Sequence, residues 1–297
     1  MIKSINQLKK VNILYEQLKE IHFIMTEPFL LNIEWNAVNY EFIIRIKAES
    51  PNVIILGSGA SENQQPPIFQ RYTWMEDFED TLIFYNDPTL YLGEINLGWG
   101  QGTIDRYYLN EIAIILEKII NKIHVTKENV LFYGSSGGGF MSLILAGYIK
   151  GSLALVNNPQ TILTNWYTKS IKQAFNLSYP NLSIEEIEKL FAERINVIAF
   201  YNKIKYVPHI YYLQNIAAEF DMQNHLEPFI TGLQQINENC IIPQVKVDLY
   251  FDKHLGHIPL EKNKIMYYIN LLKRKNDGLI IEKEKNSNIT AQKGRIE

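Results

Sequence analysis

Residues 130–147 read Val-Leu-Phe-Tyr-Gly-Ser-Ser-Gly-Gly-Gly-Phe-Met-Ser-Leu-Ile-Leu-Ala-Gly: an apolar run, a glycine-rich turn and a second apolar run. Within it, Gly134-Ser135-Ser136-Gly137-Gly138 fits Gly-x-Ser-x-Gly, a pattern that requires a strand to end in a sharp turn and open directly into a helix. Such a turn holds its central serine in a strained backbone conformation. It also presses together the residues two positions to either side, so neither can carry bulk. Register therefore selects Ser136 over Ser135, because Ser135 would have Tyr133 at its preceding small site. The following helix points its first amides, led by that of Gly137, to where an oxyanion would develop. A phosphate-binding turn is the competing reading. Gly-x-Gly-x-x-Gly fails because position 136 is serine, and no Gly-Lys-Ser/Thr follows.

The rest of the chain supplies a frame for such a turn. Short apolar strands are expected at Asn52 to Leu56, Thr81 to Tyr85, Asn129 to Tyr133, Ser152 to Val156, His209 to Leu213 and Val245 to Phe251, with helical patterns between several of them. That alternation predicts an α/β fold with a mostly parallel central sheet flanked by helices. Runs at about 29 to 35 and 41 to 47, joined by Asn36-Ala-Val-Asn39, predict a leading hairpin. Residues 2 to 20 place Ile5, Leu8, Val11, Ile13, Leu14 and Leu18 at roughly helical spacing and predict an amphipathic surface helix. One domain is expected over residues 1–280, with a helical lid insertion at about 161–206. In that insertion Ser183 and Glu186 have capping-box spacing. A polar tail is expected over 281–297.

Composition narrows the function. Apolar residues make up 46% of the chain and charged residues 21%, enough to bury a full core. The net charge of -3, with scattered Lys and Arg, gives no surface for nucleic acid. A single cysteine, Cys240, rules out an intrachain disulfide, and the N-terminus lacks a compact apolar signal core. A cytoplasmic location is therefore expected. No transmembrane segment is expected either, because the richest apolar stretch, Ile112 to Ile120, contains Glu117 and Lys118.

A nucleophilic serine needs a base and an acid, which in this kind of fold follow it in the order Ser, Asp or Glu, His. The base is expected on the loop after the last strand, where His254 and His257 both lie. His257 is preferred, since it follows Gly256, which permits an unusual turn, and precedes Ile-Pro, which delays any helix. For the acid, Asp221 leads, with Glu219 close by and Asp252 as the choice if the acid comes from the last strand. His225, four residues beyond Asp221, could share a helix face with it and is assigned to the substrate side. No metal is expected, because no His-Glu-x-x-His or paired-cysteine spacing occurs.

The second oxyanion donor should come from the loop after an early core strand, here Gly57-Ser-Gly-Ala60, with the amides of Gly59 and Ala60 as candidates. The segments that hold Trp74, Asp87 and Gln160 fall at strand ends on the same expected edge, and Trp99 lies in the glycine-rich Gly98-Trp-Gly-Gln-Gly102. Together they offer aromatic faces and amide side chains, a mixture that stacks on sugars and hydrogen-bonds hydroxyls.

The glycine-rich turn, the early glycine loop, Asn158-Pro-Gln160 and Gly256-His257 together resemble the α/β-hydrolase superfamily over roughly residues 50 to 275. More narrowly, the chain resembles hydrolase-like proteins of bacterial capsule and surface-glycan biosynthesis, among them polysaccharide O-acetyltransferases. Gly134-Ser-Ser-Gly-Gly138, Asn158-Pro-Gln160, Asp221 and Gly256-His257 carry that likeness. The early loop departs from the superfamily pattern, having Ser58-Gly59 in place of His-Gly. The resemblance implies a Ser136-His257-Asp221 triad and acyl transfer, as an O-acetyltransferase or esterase. It implies a small-molecule acyl donor such as acetyl-CoA, a carbohydrate acceptor and no tightly bound cofactor. A non-catalytic glycan-binding or scaffolding protein on the same fold is the alternative.

Overall fold

Strands that are apolar along their whole length belong where both faces of a sheet are covered. Val53–Leu56 (β4), Thr81–Tyr85 (β5) and the first part of Val130–Ser136 (β6) meet that description, each almost completely buried. In this computed structural model, which describes residues 4–23, 27–62 and 64–273, they form the middle of a nine-stranded sheet. The other strands are Lys9–Leu14 (β1), Phe29–Trp35 (β2), Val38–Arg45 (β3), Leu153–Pro159 (β7), His209–Asn215 (β8) and Val245–Tyr250 (β9). Their order is β1-β2-β3-β5-β4-β6-β7-β8-β9. Pairing is antiparallel only where β3 meets β2 and β5, and parallel elsewhere.

Two helices cover the centre. Tyr108–Lys122 (α1) buries Ile112, Ile115, Leu116, Ile119 and Ile120 at helical spacing, while Gly137–Tyr148 (α2), which begins on the residue after Ser136, is buried along nearly its whole length. From β4 the chain runs to β5 on one side, then crosses back to β6 on the other. The loops leaving β4 and β6 thus flank a reversal of strand order, where open α/β sheets place ligands at the carboxyl ends of their strands.

The expected hairpin is present as β2 and β3, closed by Asn36 and Ala37 with φ of 49° and 60°, the mirror-image turn that suits strand twist. The expected N-terminal helix is not. Residues 9–14 form β1, paired in parallel with β2 from Lys9↔Phe29 to Leu14↔Glu34, followed by a short 3-10 turn at Tyr15–Lys19. Val11 and Ile13 also satisfy a period of two, and the open edge of β2 supplied backbone partners that an isolated helix would have had to provide for itself.

Between β7 and β8 run four helices, Thr168–Ser178 (α3), Ile184–Leu190 (α4), Ala192–Ile195 (α5) and Val197–Ile204 (α6). The Ser183 side chain accepts from the Glu186 amide at 3.2 Å and the Glu186 carboxylate accepts from the Ser183 amide at 2.7 Å. After β8 come a helical turn at Glu219–Asp221 (α7), a π-helical turn at Met222–Leu226 and Glu227–Gln234 (α8). Residues 260–273 belong to a second compact unit, helical over 262–273. No helix among the described residues is long and apolar enough to cross a membrane. The polar tail expected over 281–297 lies outside the described residues.

Candidate active site

Ser136 ends β6 with φ 53° and ψ -127°, a backbone state that a non-glycine residue adopts only when its surroundings enforce it. Close packing enforces it here. A Cβ on Gly134 would lie 2.1 Å from the Gly138 carbonyl oxygen, and one on Gly138 would lie 2.9 Å from that of Gly57. The turn therefore closes only with glycine on both sides, and it stands the Ser136 side chain up at the start of α2.

The Ser136 hydroxyl has a defined partner. Gln160 Nε2 donates to Ser136 Oγ at 3.3 Å, and the Gln160 backbone amide donates to the Ser136 carbonyl at 3.2 Å. Gln160 is wholly buried, and its Oε1 accepts the indole N–H of Trp99. Because an indole N–H only donates, this bond assigns oxygen and nitrogen in the Gln160 amide and turns its N–H toward Ser136. Trp99, expected to offer a face to a sugar, is wholly buried and holds Gln160 instead.

Asp87 is likewise turned inward. Its Oδ1 accepts from the Thr89 amide and its Oδ2 from the Gly100 amide, both at 2.9 Å, and burial raises its carboxyl pKa. It braces the loop that carries Trp99. Trp74 is half-buried, stacked on Tyr133 with ring centroids 6.4 Å apart, and lies under the guanidinium of Arg71.

In the loop after β4 the two candidate amides differ. The Gly59 N–H donates to Gln70 Oε1 at 3.0 Å and so is already engaged. The neighbouring Ala60 amide has no acceptor among the described residues, while Gln70 Nε2 donates to the Ala60 carbonyl at 2.9 Å. Sequence alone could not separate the two, because Gln70 reaches back from eleven residues away.

On the far side of β6, His257 Nδ1 lies 2.6 Å from Asp221 Oδ2. Asp221 sits in α7 and is 1% exposed. A carboxylate only accepts, so Nδ1 carries the proton and the Nε2 lone pair is left free. Nε2 is shielded from solvent and has no hydrogen-bond partner among the described residues. The structure contains no hydrogen bond between His257 and Ser136, whose oxygen is held by Gln160. The competing residues are placed elsewhere: Glu219 and His254 are exposed, and Asp252 Oδ1 accepts the amides of His254 at 3.0 Å and Leu255 at 3.2 Å.

Two buried asparagines hold the histidine loop. Asn215, the last residue of β8, donates from Nδ2 to the carbonyls of Asp252 at 2.7 Å and Gly256 at 2.9 Å, and its Oδ1 accepts the Asp252 amide at 2.9 Å. Asn158, at the end of β7, donates to the His257 carbonyl at 3.1 Å while its Oδ1 accepts the Asn215 amide at 2.8 Å. Gly256 adopts φ 49°, with open space where a Cβ would sit, so backbone conformation and not crowding calls for glycine there. Asn158 was legible within Asn158-Pro-Gln160. Asn215 carried no sequence signal beyond lying at a strand end.

His225 lies in the π-helical turn, a form frequent at functional sites, and is wholly buried. Its Nδ1 accepts the Thr161 amide at 3.4 Å, its backbone carbonyl accepts the Thr161 hydroxyl at 2.7 Å, and its Nε2 has no partner. Burial, with the charge of His257 as a smaller contribution, pushes its pKa down to about 3. Trp166 faces both histidines, with ring centroids 5.7 Å from His225 and 5.0 Å from His257. Trp166 was not expected from the sequence.

No family model and no curated protein matches this sequence. Solved structures do match it. A capsule O-acetyltransferase of Neisseria meningitidis serogroup A, solved as a mutant in complex with CoA, superposes with TM-score 0.60 at 16% identity, covering 87% of this chain and 99% of that one. A fungal esterase from Rhizomucor miehei gives 0.55 at 10% identity, with 90% and 88% covered. Dipeptidyl peptidase 4 of Porphyromonas gingivalis gives 0.58 at 14% identity, with 85% of this chain against 35% of that one. The chain has an α/β-hydrolase-like fold that resembles capsule O-acetyltransferases.

Proposed function

We propose that this protein transfers an acyl group through a covalent intermediate on Ser136, with a bacterial surface polysaccharide or its precursor as acceptor. The observation that carries the reading is the buried Asp221 carboxylate on His257 Nδ1, which leaves a shielded, unpartnered Nε2 on the histidine. That is the arrangement a general base needs, in the chain order expected after a strained serine.

In the first half of the reaction Ser136 Oγ attacks the acyl carbonyl while His257 Nε2 takes its proton, and Asp221 stabilises the imidazolium that results. Because Gln160 donates to Oγ, the hydroxyl proton stays available for His257. The Gly137 amide at the head of α2 and the Ala60 amide hold the oxyanion. His257 then protonates the leaving group. In the second half it removes the proton of the acceptor hydroxyl, which attacks the acyl-serine and regenerates Ser136. Water in place of the sugar hydroxyl makes the same machinery an esterase. Trp166, from the 161–206 insertion, covers the histidine side and limits entry of water. The CoA bound to the meningococcal enzyme makes acetyl-CoA the donor we favour.

A fluorophosphonate probe tests the nucleophile. Wild-type protein is expected to be labelled on Ser136 and Ser136→Ala to be unlabelled. A folded wild type that stays unlabelled would sink the reading in favour of a non-catalytic glycan binder. Intact-mass analysis after incubation with acetyl-CoA is expected to show one added acetyl group, absent in Ser136→Ala.

A further inference from the structure

Arg71 has no place in the chemistry above, yet its side chain reaches the residue immediately before the nucleophile. Arg71 Nη2 donates to Ser135 Oγ at 2.6 Å and Nη1 reaches the Gly57 carbonyl at 3.5 Å. The guanidinium also lies 5.2 Å from the Tyr133 ring centroid and 5.6 Å from that of Trp74. No carboxylate among the described residues pairs with it. A half-buried guanidinium with no carboxylate partner among the described residues is a standing positive charge beside Ser135, the residue that precedes the nucleophile.

This charge stands at the wall of a groove of about 830 Å³ formed by residues 64–73 and 4–6. Arg71 is the one charged residue among the described residues that line it. The others include Asn6, Gln64, Gln65, Gln70 and Tyr72, which donate and accept hydrogen bonds without charge. Gln70 also ties the groove to the site, since its side chain holds the Gly59 amide, and a Cβ on Gly59 would lie 3.8 Å from that of Ser136. A channel of amides with a single cation beside the residue that precedes Ser136 matches a hydroxyl-rich molecule that carries negative charge.

We propose that this groove binds the acyl acceptor and that Arg71 holds an anionic group on it, a phosphate or a carboxylate, so that the substrate is a charged saccharide. The proposal rests on the acyl-transfer reading for the word acceptor, while the binding itself is measurable without turnover.

Calorimetric titration of the full chain carrying Ser136→Ala, with and without Arg71→Gln or Arg71→Lys, tests it. The probes are an oligosaccharide bearing a phosphate monoester, the same oligosaccharide without it, CoA and pantetheine. The phosphorylated saccharide is expected to bind at least tenfold tighter than its neutral twin and to weaken as salt is added. Arg71→Gln removes that preference, and Arg71→Lys keeps part of it, since a point charge replaces a bidentate fork. Thr73→Glu, an exposed position in the same groove, is expected to reduce the preference without disturbing the Arg71 contacts. The absence of any preference in the parent protein, or its survival in Arg71→Gln, overturns the proposal. A preference seen only between CoA and pantetheine overturns the acceptor assignment and gives the anion to the acyl donor. Failure of Ser136 labelling would instead count against the acyl-transfer reading and leave the titration result standing.

Discussion

The serine side of the candidate site is shaped by backbone pressed on backbone, whereas the histidine side hangs on asparagine side chains reaching across strands. Gly134 and Gly138 approach so closely that the turn around Ser136 has one way to close. The loop carrying His257 has no such constraint of its own. Asn158 and Asn215 hold it by hydrogen bonds to carbonyls as far as 100 residues along the chain. Sterics within five residues make the first side a property of the local sequence. The second exists only once β7, β8 and the loop after β9 have come together.

Gly134→Ala strikes the serine side hardest. Its Cβ would meet the Gly138 carbonyl at 2.1 Å and Ser142 Oγ at 2.7 Å, and a backbone carbonyl cannot swing away. The expected result is loss of fluorophosphonate labelling together with destabilisation of about 3 kcal/mol in denaturant unfolding. A stable, fully labelled variant would show that the turn can relax, and would remove one half of the contrast.

Asn215→Ala should act differently, loosening the histidine loop while leaving the turn at Ser136 intact. Ester hydrolysis is expected to fall by about a hundredfold in kcat, the scale associated with an ångström of misplacement in a catalytic group. The buried carbonyls left without partners should cost about 1–3 kcal/mol. Equal loss of kcat and of thermal stability in Gly134→Ala and Asn215→Ala would mean that the two sides unfold as one unit.

The smallest effect concerns His225. Its folded pKa, about 3, lies below its ordinary 6.5, so the unfolded chain takes up a proton first as pH falls. The stability this histidine contributes is present above pH 6.5 and is lost as pH drops toward 3. His225→Gln should therefore show a shallower decline in Tm over that window than the wild type, while above pH 7 the difference no longer varies with pH. Parallel Tm profiles for the two proteins would mean that His225 titrates normally and is not sealed behind Trp166.

Much of the frame was legible from the chain. The strands at 29–35, 53–56, 81–85, 130–136, 153–159, 209–215 and 245–250 lie where apolar runs and turn residues place them, and all but the edge strand at 245–250 bury most of their residues. Residues 9–14 were not legible as a strand, since Val11 and Ile13 fit two periods and only the open edge of β2 decided between them. The pocket side chains were harder still. Asp87 follows a strand end and Trp99 lies in a glycine-rich loop, both places where surface residues are common, yet both turn inward because Gln160 and the Gly100 amide offer them partners from elsewhere in the fold.

By itself, then, the sequence determined the turn that presents Ser136, its strand and its helix, because glycine placement and apolar runs act over a few bonds. Only the tertiary structure decided which carboxylate meets His257, which amide after β4 stays open and where Arg71 points. Each of those choices is a hydrogen bond between groups that the chain keeps far apart until the sheet forms.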